Sequence, residues 1–213
     1  MAETVWDHIR SSYDDVADAY EARFADELDR KPADRELLEH FAAVTTGPVV
    51  DLGCGPGHIG SFVRSRDEGP GPVIGLDLSG EMARRARRRL DAVVVADLRA
   101  LPFADRSIGG IVALYSLIHV RRAELPRALG EVHRVLRPGG RVVLSAHEGT
   151  TETSVEDFLG RPAPVIATLF SLDELVTASA DAALDVARAE RRPPYPNEGT
   201  TTRLYIEARR PPD

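Results

Sequence analysis

The stretch Val49-Val50-Asp51-Leu52-Gly53-Cys54-Gly55-Pro56-Gly57-His58 reads as a short apolar strand running into a glycine-rich turn. Residues 59–63 follow with the mixture of small and apolar side chains that opens a helix. Strand, glycine turn and helix in that order form the first unit of a nucleotide-binding α/β fold. Glycines there adopt positive φ and let the backbone come close to a ligand. The amides at the helix start face whatever is bound. Asp51 narrows the choice: a carboxylate beside the loop repels a pyrophosphate and favours a ligand that carries an ammonium or a sulfonium.

Working outward, residues 73–78 form a second strand whose end, Asp77, falls 24 positions after Gly53. A carboxylate at that place accepts both hydroxyls of an adenosine ribose. The competing role is capping, by Asp77 or Ser79, of a helix over 79–90. Short apolar runs at 93–95, 111–114 and 141–145 continue the strand series. A helix over 121–136 and the turn Pro138-Gly139-Gly140 separate the last two of these. Runs at 186–190 and 203–208 complete seven strands, the last two antiparallel at the edge. The fold class is α/β, a Rossmann-like doubly wound sheet of seven mostly parallel strands. The ligand crevice of such a sheet lies outside the carboxyl ends of the strands. That places His119, beyond the fourth strand, and His147, beyond the fifth, near the chemistry.

Ahead of the glycine turn, Val5, Ile9, Tyr13, Val16 and Tyr20 recur at helical steps on one face of residues 4–28. The stripe fits a helical pair packed on the core, or a lid. Asp34 is expected to cap a helix over 35–43. The segment 67–72 is a loop by composition, and 150–154 is a polar loop. Residues 158–169, with Pro162 and Pro164, are a candidate substrate lid. Ser171 and Glu174 form a capping box ahead of a helix to residue 180. The arginines at 84, 85 and 87–89 read as a solvated face. The chain divides into an N-terminal helical cap, residues 1–46, and a core, residues 47–213, within one structural domain.

A net charge of -7 argues against a general nucleic-acid binder. The single cysteine, Cys54, forms no internal disulfide, which fits a reducing cytoplasm. No signal peptide is evident, and no apolar run approaches the roughly 18 residues of a membrane helix. His8, His40, His58 and His133 show no metal-ligand spacing, and no metal is expected.

The motifs Asp51-Leu52-Gly53-Cys54-Gly55-Pro56-Gly57, Gly75-Leu76-Asp77-Leu78-Ser79, Ala96-Asp97 and Leu136-Arg137-Pro138-Gly139-Gly140 occur in this order. Together they resemble the class I S-adenosylmethionine (SAM) dependent methyltransferases, in particular the UbiE-like, methyltransferase type 11 branch that acts on small molecules. The resemblance implies methyl transfer from SAM, with S-adenosylhomocysteine (SAH) as product, to an O, N or C atom of a small molecule, a secondary metabolite by analogy with the branch. It implies cofactor contacts from Asp51, Gly53, Cys54, Gly55, Gly57 and His58, then from Asp77, Leu78 and Met82, then from Asp97 and Leu98 at the adenine, and from Tyr115. Tyr13 and Tyr20 match the pattern of a lid over the cofactor. His119 and His147 are the candidate general bases, needed only if the acceptor arrives protonated, with activity rising through a group that titrates near neutrality.

Two positions depart from the family: Gly109 stands where an aspartate usually precedes the fourth strand, and Ala182-Ala183-Leu184 stands where a glycine-phenylalanine pair is usual. The Asn/Asp-Pro-Pro-aromatic motif of enzymes that methylate nucleic-acid amines is replaced by Ala113-Leu114-Tyr115-Ser116. The expected partners are a small-molecule substrate, no nucleic acid and no membrane, with the chain a monomer or homodimer. Two alternatives remain. One is an NAD-dependent oxidoreductase, from the formal match Gly55-Pro56-Gly57-His58-Ile59-Gly60. The other is a SAM-binding protein that transfers no methyl group.

Overall fold

The computed structural model describes residues 5–66 and 69–213. Thr4 of the N-terminal stripe, and Asp67 and Glu68 of the expected loop, lie outside the described residues. Seven strands form one sheet: β1 (Val49–Leu52), β2 (Val73–Asp77), β3 (Ala92–Val95), β4 (Ile108–Leu114), β5 (Leu136–His147), β8 (Asp185–Arg192) and β9 (Arg203–Arg209). Their order is β3-β2-β1-β4-β5-β9-β8. β1 pairs in parallel with β2 and β4, so the glycine turn leaves the sheet where the strand order reverses. β9 is antiparallel to both β5 and β8.

Successive residues of each strand face opposite sides of the sheet, and both sides are covered. Val50, Leu52, Ile111, Ala113 and Leu144 pack with Leu129 and Val132 of α5 (Leu125–Val135). Val49, Val73, Val112 and Val143 pack with Leu38 and Phe41 of α2 (Pro32–Val44) and Val63 of α3 (His58–Arg64). Burial on both faces is why these strands read as continuous apolar runs.

Several local expectations are corrected. The N-terminal stripe is one helix, α1 (Val5–Phe24), followed by a 3₁₀ turn, Glu27–Arg30. α2 starts at Pro32, a residue tolerated in the first turn. Asp34 therefore caps nothing; it is buried and accepts a hydrogen bond from the Tyr205 hydroxyl at 2.7 Å. α4 (Gly80–Ala86) is shorter than expected and is capped by Ser79, whose Oγ accepts the Met82 N–H. The arginine run beyond Ser79 is only partly a solvated face. Arg85 is buried and pairs with Asp18, Glu21 and Glu81, while Arg88 and Arg89 pair with Glu21. The expected loop at 150–154 gives way to strand from Glu152 onward: β6 (Glu152–Phe158) pairs with β7 (Arg161–Thr168) as a separate hairpin, which takes in most of the candidate lid at 158–169. The capping box at Ser171 and Glu174 opens α6 (Leu172–Asp181), as expected. Beyond α6, Ala183 takes φ 58°, the left-handed position that the family's glycine fills without strain.

The missing aspartate before the fourth strand has a steric reason. Gly109 and Gly110 both donate to the Pro48 carbonyl, and the chain at 46–47 crosses so close that a Cβ on Gly109 would stand 1.9 Å from the Thr46 oxygen. No side chain fits there. Gly109→Ala is expected to destabilise the fold by about 1–3 kcal/mol, the usual range for overpacking. Urea unfolding at matched pH checks it, and an unchanged midpoint would show that the crossing is loose.

Candidate active site

Asp77 organises the first part of the site. Its Oδ2 accepts the Gly55 N–H and its Oδ1 the Ser79 N–H, each at 2.8 Å, so one carboxylate joins the glycine turn to the start of α4. The turn itself needs its glycines: Gly53, Gly55 and Gly57 have φ of 66°, 52° and 87°. From the other side, Asp14 on α1 accepts the Ser79 hydroxyl at 2.5 Å and the Glu81 N–H at 3.0 Å. Asp97 pairs with Arg99 at 2.5 Å; Arg99 also pairs with Glu124 and stacks 3.5 Å from the centre of the Trp6 ring.

A cleft lies among these groups, beside the carboxyl ends of the strands. Of the residues expected at the cofactor, Tyr13, Tyr20, Gly53, Gly55, Asp77, Leu78, Met82, Asp97, Leu98 and Tyr115 line it. Asp51, Cys54 and His58 do not; they border a second cavity. Asp51 is turned to the Gly60 N–H at 2.8 Å, and His58 Nε2 meets Glu27 at 2.8 Å. Gly57 borders neither, since a Cβ there would face Ala86 at 3.0 Å. Sequence reading left Trp6, Arg10, Ser79 and Ser116 out of the cofactor set, although they stand in the cleft wall. Ile9 belongs to the stripe of α1, and Trp6 and Arg10 each follow a stripe residue by one position, which was the available signal.

The second cavity, about 590 Å³, lies between the 3₁₀ turn, the β6–β7 hairpin and the loop at 197–201. Val155, Phe158 and Val165 give it an apolar wall. Opposite them, Lys31 meets Glu27 at 2.6 Å and Glu198 at 3.5 Å, and Arg192 meets Glu198 at 2.8 Å. Burial raises the Glu198 pKa, but the Arg192 bonds and nearby cations outweigh it and hold the group at about 2. That ionisation leaves Glu198 a poor base. None of this ionic floor was visible in the sequence, because its members come from distant segments.

The two cavities share a wall made of Tyr13, Tyr20, Gly53, Gly55, Leu114, Tyr115 and His119. Tyr115 holds φ 57°, a strained value for a bulky residue that costs about 1–3 kcal/mol. Its N–H bonds to Ser145, its hydroxyl meets that of Tyr205 at 3.2 Å, and its ring stacks on His147 at 5.2 Å. His147 borders only the larger cavity, with Nδ1 at 3.0 Å from the Thr201 hydroxyl. Burial first, then Arg203 and Lys31, push His147 down to about 4, which makes it a weak base.

His119 borders both cavities. Its Nδ1 lies 2.7 Å from the Ile166 carbonyl, and its Nε2 lies 2.6 Å from the Tyr13 hydroxyl. The carbonyl only accepts, so Nδ1 carries the hydrogen. Burial disfavours the imidazolium and lowers the pKa, so the ring is neutral and Nε2 accepts the Tyr13 O–H. Tyr13 and His119 are each half-buried, and both line the two cavities. The acid limb of any activity that needs neutral His119 therefore falls below the ordinary histidine range, not near neutrality.

Residues 49–140 match the methyltransferase domain family. Over those residues the chain is similar to class I SAM-dependent methyltransferases. The malonyl-[acyl-carrier protein] O-methyltransferase of Pectobacterium atrosepticum is 38% identical over 135 residues, 62% of this chain and 50% of that one. The chain spans about half the length of the curated relatives it matches. Among solved structures, the DhpI-SAH complex superposes with a TM-score of 0.74 at 22% identity, covering 100% of both chains. The [4+2]-cyclase SpnF superposes with 0.64 at 17% identity, over 84% of this chain and 80% of that one. Both share the fold, the Rossmann-like sheet flanked by helices.

The cofactor of the domain is SAM, and the residues present fit it. Asp51 and Asp77 flank the glycine turn, and neither forms a salt bridge among the described residues. Asp77 suits the ribose of either cofactor, but Asp51 beside the turn repels a dinucleotide pyrophosphate and suits a cationic ligand, so the oxidoreductase alternative is set aside. Among the described residues, no group of three or more His, Cys, Asp or Glu is placed to hold a metal, and no helix is long and apolar enough to cross a membrane.

The same carboxylates give SAM affinity a pH dependence. Burial, the largest cause for each, pushes Asp51 up to about 7 and Asp77 up to about 6. A cationic ligand favours the ionised forms, so binding releases protons below these values. Affinity is expected to rise with pH between about 5 and 7, approaching tenfold per unit where one proton must leave, and to level off above. Calorimetry in buffers of different ionisation heat measures both effects. A flat profile without proton release would remove these carboxylates from the binding equilibrium.

Proposed function

We propose that the protein transfers a methyl group from SAM to a small molecule held in the larger cavity. The observation that carries this reading is the shared wall: a cofactor cleft and a second, partly apolar cavity meet at Tyr13, Tyr20, Tyr115 and His119. When bound, SAM supplies a methyl group already activated on a sulfonium. The work left to the chain is alignment, exclusion of water and handling of one proton. Alignment of two bound reactants is worth up to about 7–11 kcal/mol.

In this reading Asp77 holds the ribose, Met82 and Leu98 flank the adenine, and Asp97 meets its amino group. Residues 1–46 act as a cap on the core at 47–213, and α1 is its lid over the cofactor. His119 is the base and His147 supports Tyr115, because His119 alone of the two borders both cavities. The acceptor is a small metabolite with an apolar body, which suits the wall of Val155, Phe158 and Val165. The net charge of -7 supports a target other than nucleic acid. Buried Cys54, the one cysteine, supports a cytoplasmic setting, with the chain a monomer or homodimer.

Calorimetry and a screen with methyl-labelled SAM test this together. SAM is expected to bind, and Asp77→Ala to weaken it tenfold or more with the circular dichroism unchanged, since a hydrogen bond to a charged group contributes about 1.5–3 kcal/mol. Label is expected to pass to a compound in a small-molecule metabolite extract. Absence of SAM binding sinks the reading. Tight SAM binding with no transfer to any extract would favour a protein that uses the cofactor without moving its methyl group.

A further inference from the structure

Tyr13 and His119 both line the two cavities, and the Tyr13 hydroxyl covers the one ring nitrogen of His119 that is free to act as a base. That hydroxyl has given its only hydrogen to His119 Nε2 at 2.6 Å, and the other ring nitrogen is held by the Ile166 carbonyl at 2.7 Å. Nε2 is thereby occupied, and an acceptor in the larger cavity does not meet a bare imidazole. What the pair offers to a ligand is the tyrosine oxygen, which retains lone pairs and has no hydrogen left to donate. Such an atom receives a hydrogen bond from an O–H group. It gives nothing to a methyl ether.

We propose that Tyr13 is the catalytic residue that receives the acceptor's proton, that His119 acts behind it as the terminal base, and that the acceptor is a hydroxyl compound with an aromatic or apolar body. The inference rests on the methyltransferase reading above. Tyr20 and Phe158 flank Tyr13, with ring centres 6.0 and 5.8 Å from it, Phe24 packs against Tyr20 at 4.6 Å, and the group provides the setting for such a body.

The balance of the step is complete. The bond from the acceptor oxygen to the methyl carbon forms as the bond from that carbon to the sulfonium sulfur breaks, and the sulfur keeps the electron pair as a neutral thioether. The acceptor proton moves to the Tyr13 oxygen, and the Tyr13 proton moves to His119 Nε2. One positive charge disappears from the sulfonium and one appears on the imidazole. The net charge of the buried site is conserved, which offsets the desolvation that otherwise disfavours a charged His119. After product release the proton returns through Tyr13 to water.

Tyr13 as a mere plug over His119 makes the opposite prediction for one variant. If Tyr13 only blocks the imidazole, Tyr13→Phe exposes the base and activity holds or rises. If Tyr13 relays, Tyr13→Phe and His119→Gln each lower kcat at least tenfold at unchanged SAM affinity, since general acid-base assistance typically contributes about 10²–10⁴-fold. The probes are 1-naphthol and its methyl ether, titrated into SAH-loaded protein with nitrogen-15-labelled histidine.

His119 is expected to show the neutral tautomer with hydrogen on Nδ1 and a hydrogen-bonded Nε2, and Tyr13→Phe to move only the Nε2 signal. Naphthol is expected to bind at least tenfold tighter than the ether in the wild type, with that advantage lost in Tyr13→Phe. With labelled SAM, naphthol turnover follows the two variants as above. The relay is overturned by hydrogen on Nε2, by naphthol binding no tighter than the ether, or by full turnover in Tyr13→Phe. These outcomes leave SAM binding intact and are distinct from failure of the methyltransferase reading, in which SAM itself does not bind.

Discussion

Two carboxylates at the carboxyl end of the sheet set the terms for the rest of the site. Asp51 is 2% exposed and Asp77 lies in the cleft wall, and neither has a salt-bridge partner among the described residues. The backbone N–H groups of Gly55, Gly60 and Ser79 partner them and shape the glycine turn. Hydrogen bonds of this kind do not remove the cost of confining two negative charges, and both groups hold their protons to about 7 and about 6 in consequence. The fold carries an electrostatic deficit that a cationic ligand relieves. Cofactor binding draws on a strain already present in the sheet, and the geometry that creates it is the geometry that places the loop.

α1 is the second element on which the site depends, and it is held by charge more than by apolar packing. Arg85 sits almost buried among Asp18, Glu21 and Glu81, Glu21 also holds Arg88 and Arg89, and Asp14 reaches the start of α4 through Ser79. Exposed ion pairs contribute about 0–1 kcal/mol each, so the stronger ties are the hydrogen bonds of Asp14 and the pairing of Arg85. At its other flank Ser12 donates to the Pro164 carbonyl of β7. The helix is thus clipped to α4 on one side and to the hairpin on the other, with Tyr13 between the clips.

The parallel core was legible because its strands are buried on both faces and its turns are local. Val49–Leu52 and Ile108–Leu114 are apolar runs, and the glycine turn is spelled out in consecutive residues. The hairpin was illegible for the opposite reason. β6 is mostly exposed and polar, Pro162 and Pro164 interrupt β7, and the pair has no sheet neighbour to impose an apolar pattern. Asp34 looked like a cap because Asp favours that place; its partner Tyr205 lies 171 residues away. The arginines of α4 looked solvated because their carboxylates belong to α1. The cofactor cleft is built from strand ends and could be anticipated, whereas the larger cavity is built from a 3₁₀ turn, a hairpin and a distant loop and could not.

The position of Tyr13 joins two roles that are usually separate. Trp6, Ile9, Arg10 and Tyr13 form the α1 side of the cofactor cleft. The bond between Tyr13 and His119 ties that helix to β7, to which His119 is fixed in turn through the Ile166 carbonyl. In the proposed relay, the contact that carries the acceptor proton is therefore also a contact that fastens α1 to the rest of the molecule. That double role explains why a tyrosine suits this place. Its phenol is neutral across the physiological range because burial, and then Asp77, raise its pKa, so it joins α1 to His119 as a donor without adding a charge to a wall that already holds two carboxylates.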